Sequence, residues 1–126
     1  MSREEALRKV YSFNTIATLI FHMNYYVSAV LKVLEGAPLD SKDELSFDHP
    51  PLHSEADWQA LLNKTWSEAE RFATLVEQLP EERMWETFLE AKHQNYYRNI
   101  VGITEHIYYH LGQIVLIKKL IREEGV

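Results

Sequence analysis

The sequence predicts an all-α protein that forms a single domain over residues 1–126. Apolar residues make up 46% of the chain, enough for a core, and the chain holds only 4 glycines and 4 prolines. Three long stretches repeat apolar residues at helical spacing, with capping residues at their ends. These observations favour three long helices and a short N-terminal helix over an all-β or loop-rich fold.

The short N-terminal helix is predicted over residues 2–11. Ser2 and Glu5 have the spacing of a capping box, in which each side chain accepts a hydrogen bond from the backbone of the other. The next residues break the pattern, and Ser12 or Asn14 is the expected N-cap of the following helix.

The first long helix is predicted over residues 15–35, and Gly36 is placed to end it. Its apolar stripe is broad and its polar arc is narrow, so this helix should contact neighbours on more than one side. His22 lies at the flank of the stripe. A lone histidine there is most simply a core or boundary residue.

A loop is predicted over residues 37–53, because it contains three prolines. Asp48, His49 and His53 lie in this loop and are possible metal ligands. The prolines between them give no regular facing geometry, so a solvated loop is the favoured interpretation, although a loop of this length is often a lid or a partner surface.

The second long helix is predicted over residues 54–79, with Ser54 as its N-cap. Its acidic residues, which include Glu68, Glu70 and Glu77, are interpreted as a solvated face. Residues 81–95 are expected to form a structured, partly extended connection, with His93 exposed.

The third long helix is predicted over residues 96–123, with Asn95 as N-cap and Gly125 as the stop signal. His106 and His110 lie one turn apart on its apolar face, together with isoleucines. Three interpretations compete: core histidines with satisfied nitrogens, an acid/base pair, or two ligands of a divalent metal. Burial of two unpaired imidazoles is costly, which favours the metal.

The charge and cysteine content exclude several classes of protein. The net charge is −6, which disfavours nucleic-acid binding, and the chain has no cysteine, so disulfides, thiol nucleophiles and cysteine-type zinc sites are excluded. No leader segment or membrane span is recognised. A cytoplasmic protein that binds neither nucleic acid nor membrane is expected.

The long apolar helix with His22 near its middle, the Gly/Pro loop after it, and the pattern His106-x3-His110-x2-Gln113 resemble the DinB/YfiT-like family of metalloenzymes. The resemblance covers roughly residues 12–121. It implies an up-and-down four-helix bundle and a zinc or nickel ion held by His22, His106 and His110. Relatives include transferases and isomerases that depend on low-molecular-weight thiols.

Three further residues are candidates to support that metal site. Gln113, one turn beyond His110, could orient a bound water or a substrate carbonyl. Tyr26 and Tyr109 could contact the ligands from outside, although ordinary core tyrosines are an equally good interpretation. No carboxylate is evidently placed near the ion, which favours a thiol nucleophile over attack by water.

The chain departs from the family in lacking the long helix that precedes the one with the first histidine. Either the start of the domain is truncated, or the stripe of residues 16–34 packs against a second chain, and we expect the second arrangement, a homodimer. Two functions follow: a metal-dependent transferase or hydrolase acting on a small molecule, or a non-catalytic, stress-related protein whose ion links the helices. A third interpretation is a dimeric helical adaptor without metal.

Overall fold

The computed structural model describes residues 1–124, and within them it is helical and contains no strand. Three long helices are present, as predicted, together with two short ones. The predicted stop at Gly125 lies outside the described residues. The helices are α1 (Arg3–Ala6), α2 (Ile16–Leu34), α3 (Glu55–Gln78), α4 (Glu81–Met84) and α5 (Tyr96–Glu124).

The N-terminal helix is shorter than predicted. Ser2 and Glu5 form the expected capping box, but α1 ends at Ala6, and the chain then turns irregularly through Tyr11, whose φ is 49°. The N-cap of α2 is Thr15, whose side-chain oxygen accepts a hydrogen bond from the Thr18 backbone, so the expectation of Ser12 or Asn14 was wrong.

Three other predicted helix ends are confirmed. Gly36 has a φ of +97°, a left-handed conformation that favours glycine after a helix. Ser54 accepts a hydrogen bond from the Asp57 backbone at the start of α3, and Asn95 accepts one from the Arg98 backbone at the start of α5.

Helix α2 is the centre of the fold, because α3 and α5 both pack against it. Asn24 contacts Lys64 and Ser28 contacts Glu68, so α2 and α3 run in the same direction. The long helices joined by residues 35–54 are therefore parallel, and the loop is a crossover from one end of the fold to the other. This arrangement differs from the alternating directions expected of an up-and-down bundle.

Helix α5 runs antiparallel to α2. Residues near the start of α2 pack with residues near the end of α5, and residues near the end of α2 pack with the start of α5. The two clusters are Val10, Ile16, Leu19, Ile117 and Ile121 at one end, and Val27, Val30, Val33, Phe88, Tyr96 and Ile103 at the other. A third cluster, around Trp58, joins α1 to α3.

By length and composition, α2 could also cross a membrane, with a mean hydropathy of 1.3. Of that window, 56% is buried inside the fold. A core helix that packs on two sides has the same composition, and α2 packs against both α3 and α5.

The connection from α3 to α5 is structured, as expected. After α4, Thr87 and Asn95 form an antiparallel bridge around a short 3-10 turn at Ala91–His93. Phe88 points inward and is only 1% exposed. His93 is half-buried rather than exposed.

Candidate metal centre

Helices α2 and α5 position the three predicted histidines. His22 lies in the middle of α2, and His106 and His110 lie one turn apart on the face of α5 that packs against it. Because the two helices are antiparallel and in contact, residues 84 positions apart in the sequence meet. His22 and His110 are buried, and His106 is half-buried.

The Nε2 atoms of the three histidines converge. Nε2 of His106 lies 3.0 Å from Nε2 of His22 and 3.0 Å from Nε2 of His110. All three residues offer a ligand atom within 4.8 Å of the other two. Within the described chain, this is the one group of three or more histidine or acidic side chains that lie close enough to share an ion.

In two of these histidines, the contact made by Nδ1 shows which ring nitrogen carries the proton. Nδ1 of His22 lies 3.3 Å from the carbonyl oxygen of Ser46, and Nδ1 of His110 lies 2.7 Å from Oε1 of Gln113. Both oxygens only accept hydrogen bonds, so each Nδ1 is the nitrogen that carries a proton. The Nε2 lone pairs of His22 and His110 are therefore free and face the centre of the cluster.

Hydrogen bonding among the histidines alone leaves this cluster incompletely satisfied. With lone pairs on His22 and His110, the single proton of His106 Nε2 can be donated to only one of them. A cation placed among three lone pairs satisfies all three nitrogens. Three imidazole nitrogens suit zinc and nickel alike, so the donor set fits a divalent ion without selecting one.

The electrostatics of the cluster favour neutral imidazoles, which is the form that binds metals. Burial, reinforced by the proximity of His106 and His110, lowers the pKa of His22 to about 4. Burial and His110 also lower the pKa of His106. The rings of His22 and His106 therefore stay neutral at neutral pH.

The crossover loop covers one side of the cluster, which corrects the prediction that it is simply solvated. The ring of Phe47 stacks on the ring of His22, with centroids 3.8 Å apart and planes at 6°. Ser46 is 1% exposed, and its hydroxyl donates to the carbonyl oxygen of Asp43. The sequence offered no signal for these contacts beyond the length of the loop.

The carboxylate of Asp43 also lies beside the site, although no carboxylate was expected there from the sequence. Tyr26 packs edge-on against the rings of both His22 and His106, and its hydroxyl donates to Oδ1 of Asp43 at 2.6 Å. Burial, together with this hydrogen bond, raises the pKa of Tyr26. The phenol therefore remains protonated at neutral pH, with its proton shared with Asp43.

The remaining candidates have distinct positions. Gln113 contacts Nδ1 of His110, so it is placed to orient that ring and lies on the opposite side from the converging nitrogens. The ring of Tyr109 packs edge-on against His110, but 66% of this tyrosine is exposed, so it is not a core residue.

The loop histidines do not join the cluster. His49 lies with Nδ1 2.8 Å from the carbonyl oxygen of Pro50 and Nε2 3.1 Å from the hydroxyl of Thr18. His53 is exposed. Although His49 and His53 are close to Asp48 in the sequence, the three do not form a second ligand group in the described residues.

One side of the cluster is open. A shallow cavity of about 350 Å³ is lined by His22, Tyr26, Gly102, Ile103 and His106. Gly102 lies one turn before His106, and a β-carbon placed there would meet only the end of the Arg98 side chain, at 3.9 Å. Because Gly102 has no side chain, nothing at this position blocks access to the histidines through the cavity.

Comparison of the chain with models of known protein families, with curated proteins and with solved structures finds no match.

Proposed function

We propose that this protein is a divalent-metal-dependent enzyme of the DinB-like type, with zinc or nickel held by Nε2 of His22, His106 and His110. The observation that carries the proposal is the pair of Nδ1 hydrogen bonds, because they turn the Nε2 lone pairs of His22 and His110 toward His106. Three protein ligands are typical of catalytic zinc sites, which keep a position for water or substrate.

The reaction we propose is transfer to or from a low-molecular-weight thiol, or hydrolysis, on a small molecule. A bound divalent ion would lower the pKa of a water or thiol ligand and polarise a substrate oxygen. The cavity beside Gly102 gives a small molecule access to the histidines. Phe47 shields the stacked face of His22 from water.

Tyr26 and Asp43 are the proton-handling groups of this proposal. The Tyr26 hydroxyl carries a proton that it donates to Asp43, and its ring borders the same cavity as His22 and His106. Through the Tyr26 hydroxyl, Asp43 could accept a proton from a water or a thiol in the cavity, so this pair is compatible with hydrolysis as well as with thiol transfer.

The decisive test is the metal content of protein made without a polyhistidine tag. We expect about one ion per chain, lost in His106→Ala/His110→Ala and retained in the matched control His49→Ala/His53→Ala, which removes the same number of histidines from the loop. If the protein binds no ion even after incubation with zinc or nickel, the proposal fails, and an adaptor role becomes the better one.

A second candidate is a non-catalytic, stress-related protein in which the ion links α2 to α5. The observation that favours it is that the ligands come from two different helices of the core. A melting temperature that falls on chelation, together with no turnover in a screen of cellular thiols and of ester or amide substrates, would support the non-catalytic role. Thiol-dependent product release would support the enzyme. The setting we propose for either role is the cytoplasm.

A further inference from the structure

Arg98 lies beside the cavity that gives access to the histidine cluster. Arg98, Gly102 and His106 follow one another at intervals of four residues along α5, so each lies one helical turn from the next. Gly102 and His106 both line the cavity. A β-carbon on Gly102 would lie 3.9 Å from Nη1 of Arg98, so the guanidinium is next to this wall of the cavity.

The charge of Arg98 contrasts with the groups that line the cavity itself. These groups are the imidazoles of His22 and His106, a phenol, and the uncharged residues Gly102 and Ile103. The negative charge of Asp43 belongs to the other side, where its carboxylate accepts the hydrogen bond of Tyr26 on α2. A ligand with a negative group is therefore placed most favourably with that group on the α5 side, against Arg98.

The ion pair of Arg98 leaves it able to bind such a group. Nη1 of Arg98 donates to Oε1 of Glu105 at 3.0 Å, and the two side chains are 55% and 63% exposed. Exposed pairs of this kind contribute little to stability, so exchanging this one for a ligand costs little. A guanidinium also has five N–H donors, and the bond to Glu105 uses one of them.

We propose that Arg98 determines the specificity of this cavity by binding the carboxylate of a small thiol. This inference rests on the function proposed above, in which the thiol end of the ligand reaches the histidine cluster. A guanidinium matches a carboxylate with two parallel hydrogen bonds, which fixes the orientation of the ligand as well as its charge. The Ile103 side chain provides an apolar wall for the short aliphatic link between the two ends.

The test compares two ligands of nearly the same shape, mercaptopropionate and its neutral amide. Isothermal titration calorimetry of the metal-loaded protein at neutral pH measures both dissociation constants. The wild type should bind the carboxylate more tightly than the amide. In Arg98→Gln this preference should fall roughly fivefold or more, because the charged partner is lost, whereas the affinity for the amide should change little.

Two further variants separate Arg98 from a general effect of charge. Glu105→Gln should increase the preference for the carboxylate, because it removes the negative group that competes for Arg98. Arg71→Gln is the matched control and should retain the wild-type preference. Arg71 is 53% exposed and paired with Glu35, and its helix α3 contributes no residue to the cavity.

Arg98→Gln keeps the backbone N–H that donates to Asn95 at the start of α5, so the helix should form normally. Circular dichroism and metal content establish that every variant folds and carries its ion. An unchanged preference in Arg98→Gln, or one that does not rise in Glu105→Gln, would overturn the role of Arg98 while the binding of both thiols left the proposed function in place. If the wild type binds neither thiol, thiol transfer is contradicted, and this inference fails with it.

Discussion

The ring of Phe47 lies parallel to the ring of His22, with the two centroids 3.8 Å apart, although the residues belong to different elements. This contact places a loop residue directly on one histidine of the cluster. It also separates one face of that imidazole from solvent, while Phe47 itself stays 44% exposed.

Replacement of Phe47 by alanine should raise the pKa of His22 toward its ordinary value. Burial is the main cause of the lowered pKa, and the variant admits water to the uncovered ring face. NMR titration of the His22 ring would measure the change. Phe13→Ala is the control, because Phe13 has similar exposure and packs on Tyr11, away from the cluster. An unchanged His22 pKa would show that Phe47 contributes no shielding.

Replacement of Gln113 by leucine should weaken metal binding roughly 10-fold or more, because His110 loses the oxygen that fixes its Nδ1 proton. Gln113→Glu keeps an acceptor at that position and should retain most of the affinity. Competition with a chromogenic chelator would measure both. Gln59→Leu, on the exposed side of α3, should have no effect, and equal affinities in all four proteins would contradict the role given to Gln113.

Acidification should destabilise the metal-free protein. The pKa of His22 is about 4 in the folded protein and about 6.5 when unfolded. Between these values the unfolded chain binds a proton that the folded chain does not, so stability is full above pH 6.5 and falls as the pH approaches 4.

Urea unfolding at a series of pH values would measure this dependence. Between pH 4 and 6.5, the free energy of unfolding should depend less steeply on pH in His22→Gln than in the wild type. His49→Gln should retain the wild-type dependence. Identical slopes for the wild type and His22→Gln would show that His22 does not couple folding to pH.

Two glycine substitutions should have opposite effects on stability. Gly36→Ala should destabilise the fold by about 1 kcal/mol, because Gly36 has a φ of +97° and alanine is strained there. Gly112→Ala should stabilise it by about 0.5–1 kcal/mol, because Gly112 lies inside α5 and an added β-carbon would meet nothing within 4 Å. Urea midpoints compare the two directly, and equal shifts would contradict the conformational argument.

The sequence was sufficient to predict several features that depend on neighbouring residues, although not the N-cap of α2. Ser2, Gly36, Ser54 and Asn95 act as the caps that their local patterns predicted. The apolar face of α5 likewise indicated that His106 and His110 point toward the core.

Features that depend on tertiary packing were not predictable in the same way. Helical periodicity carries no information on the direction of α3 relative to α2. The contacts of Asp43, Ser46 and Phe47 with the histidines or with Tyr26 depend on where the crossover loop returns across the fold, and a loop with three prolines has no period from which to infer that path. Glu68, assigned to the solvated face, is instead half-buried and bonded to Ser28.

The sequence separation of 84 residues between His22 and His106 has a consequence for the unfolded chain. A single ion that remained attached to both would close a very large loop, and the entropy that such a closure removes from the unfolded ensemble grows with the logarithm of loop length. Metal should therefore act on the unfolded chain as well as on the folded core. With an ion bound to both helices, α5 would not separate from α2 in a local opening. Their separation would then occur only when the whole fold unfolds.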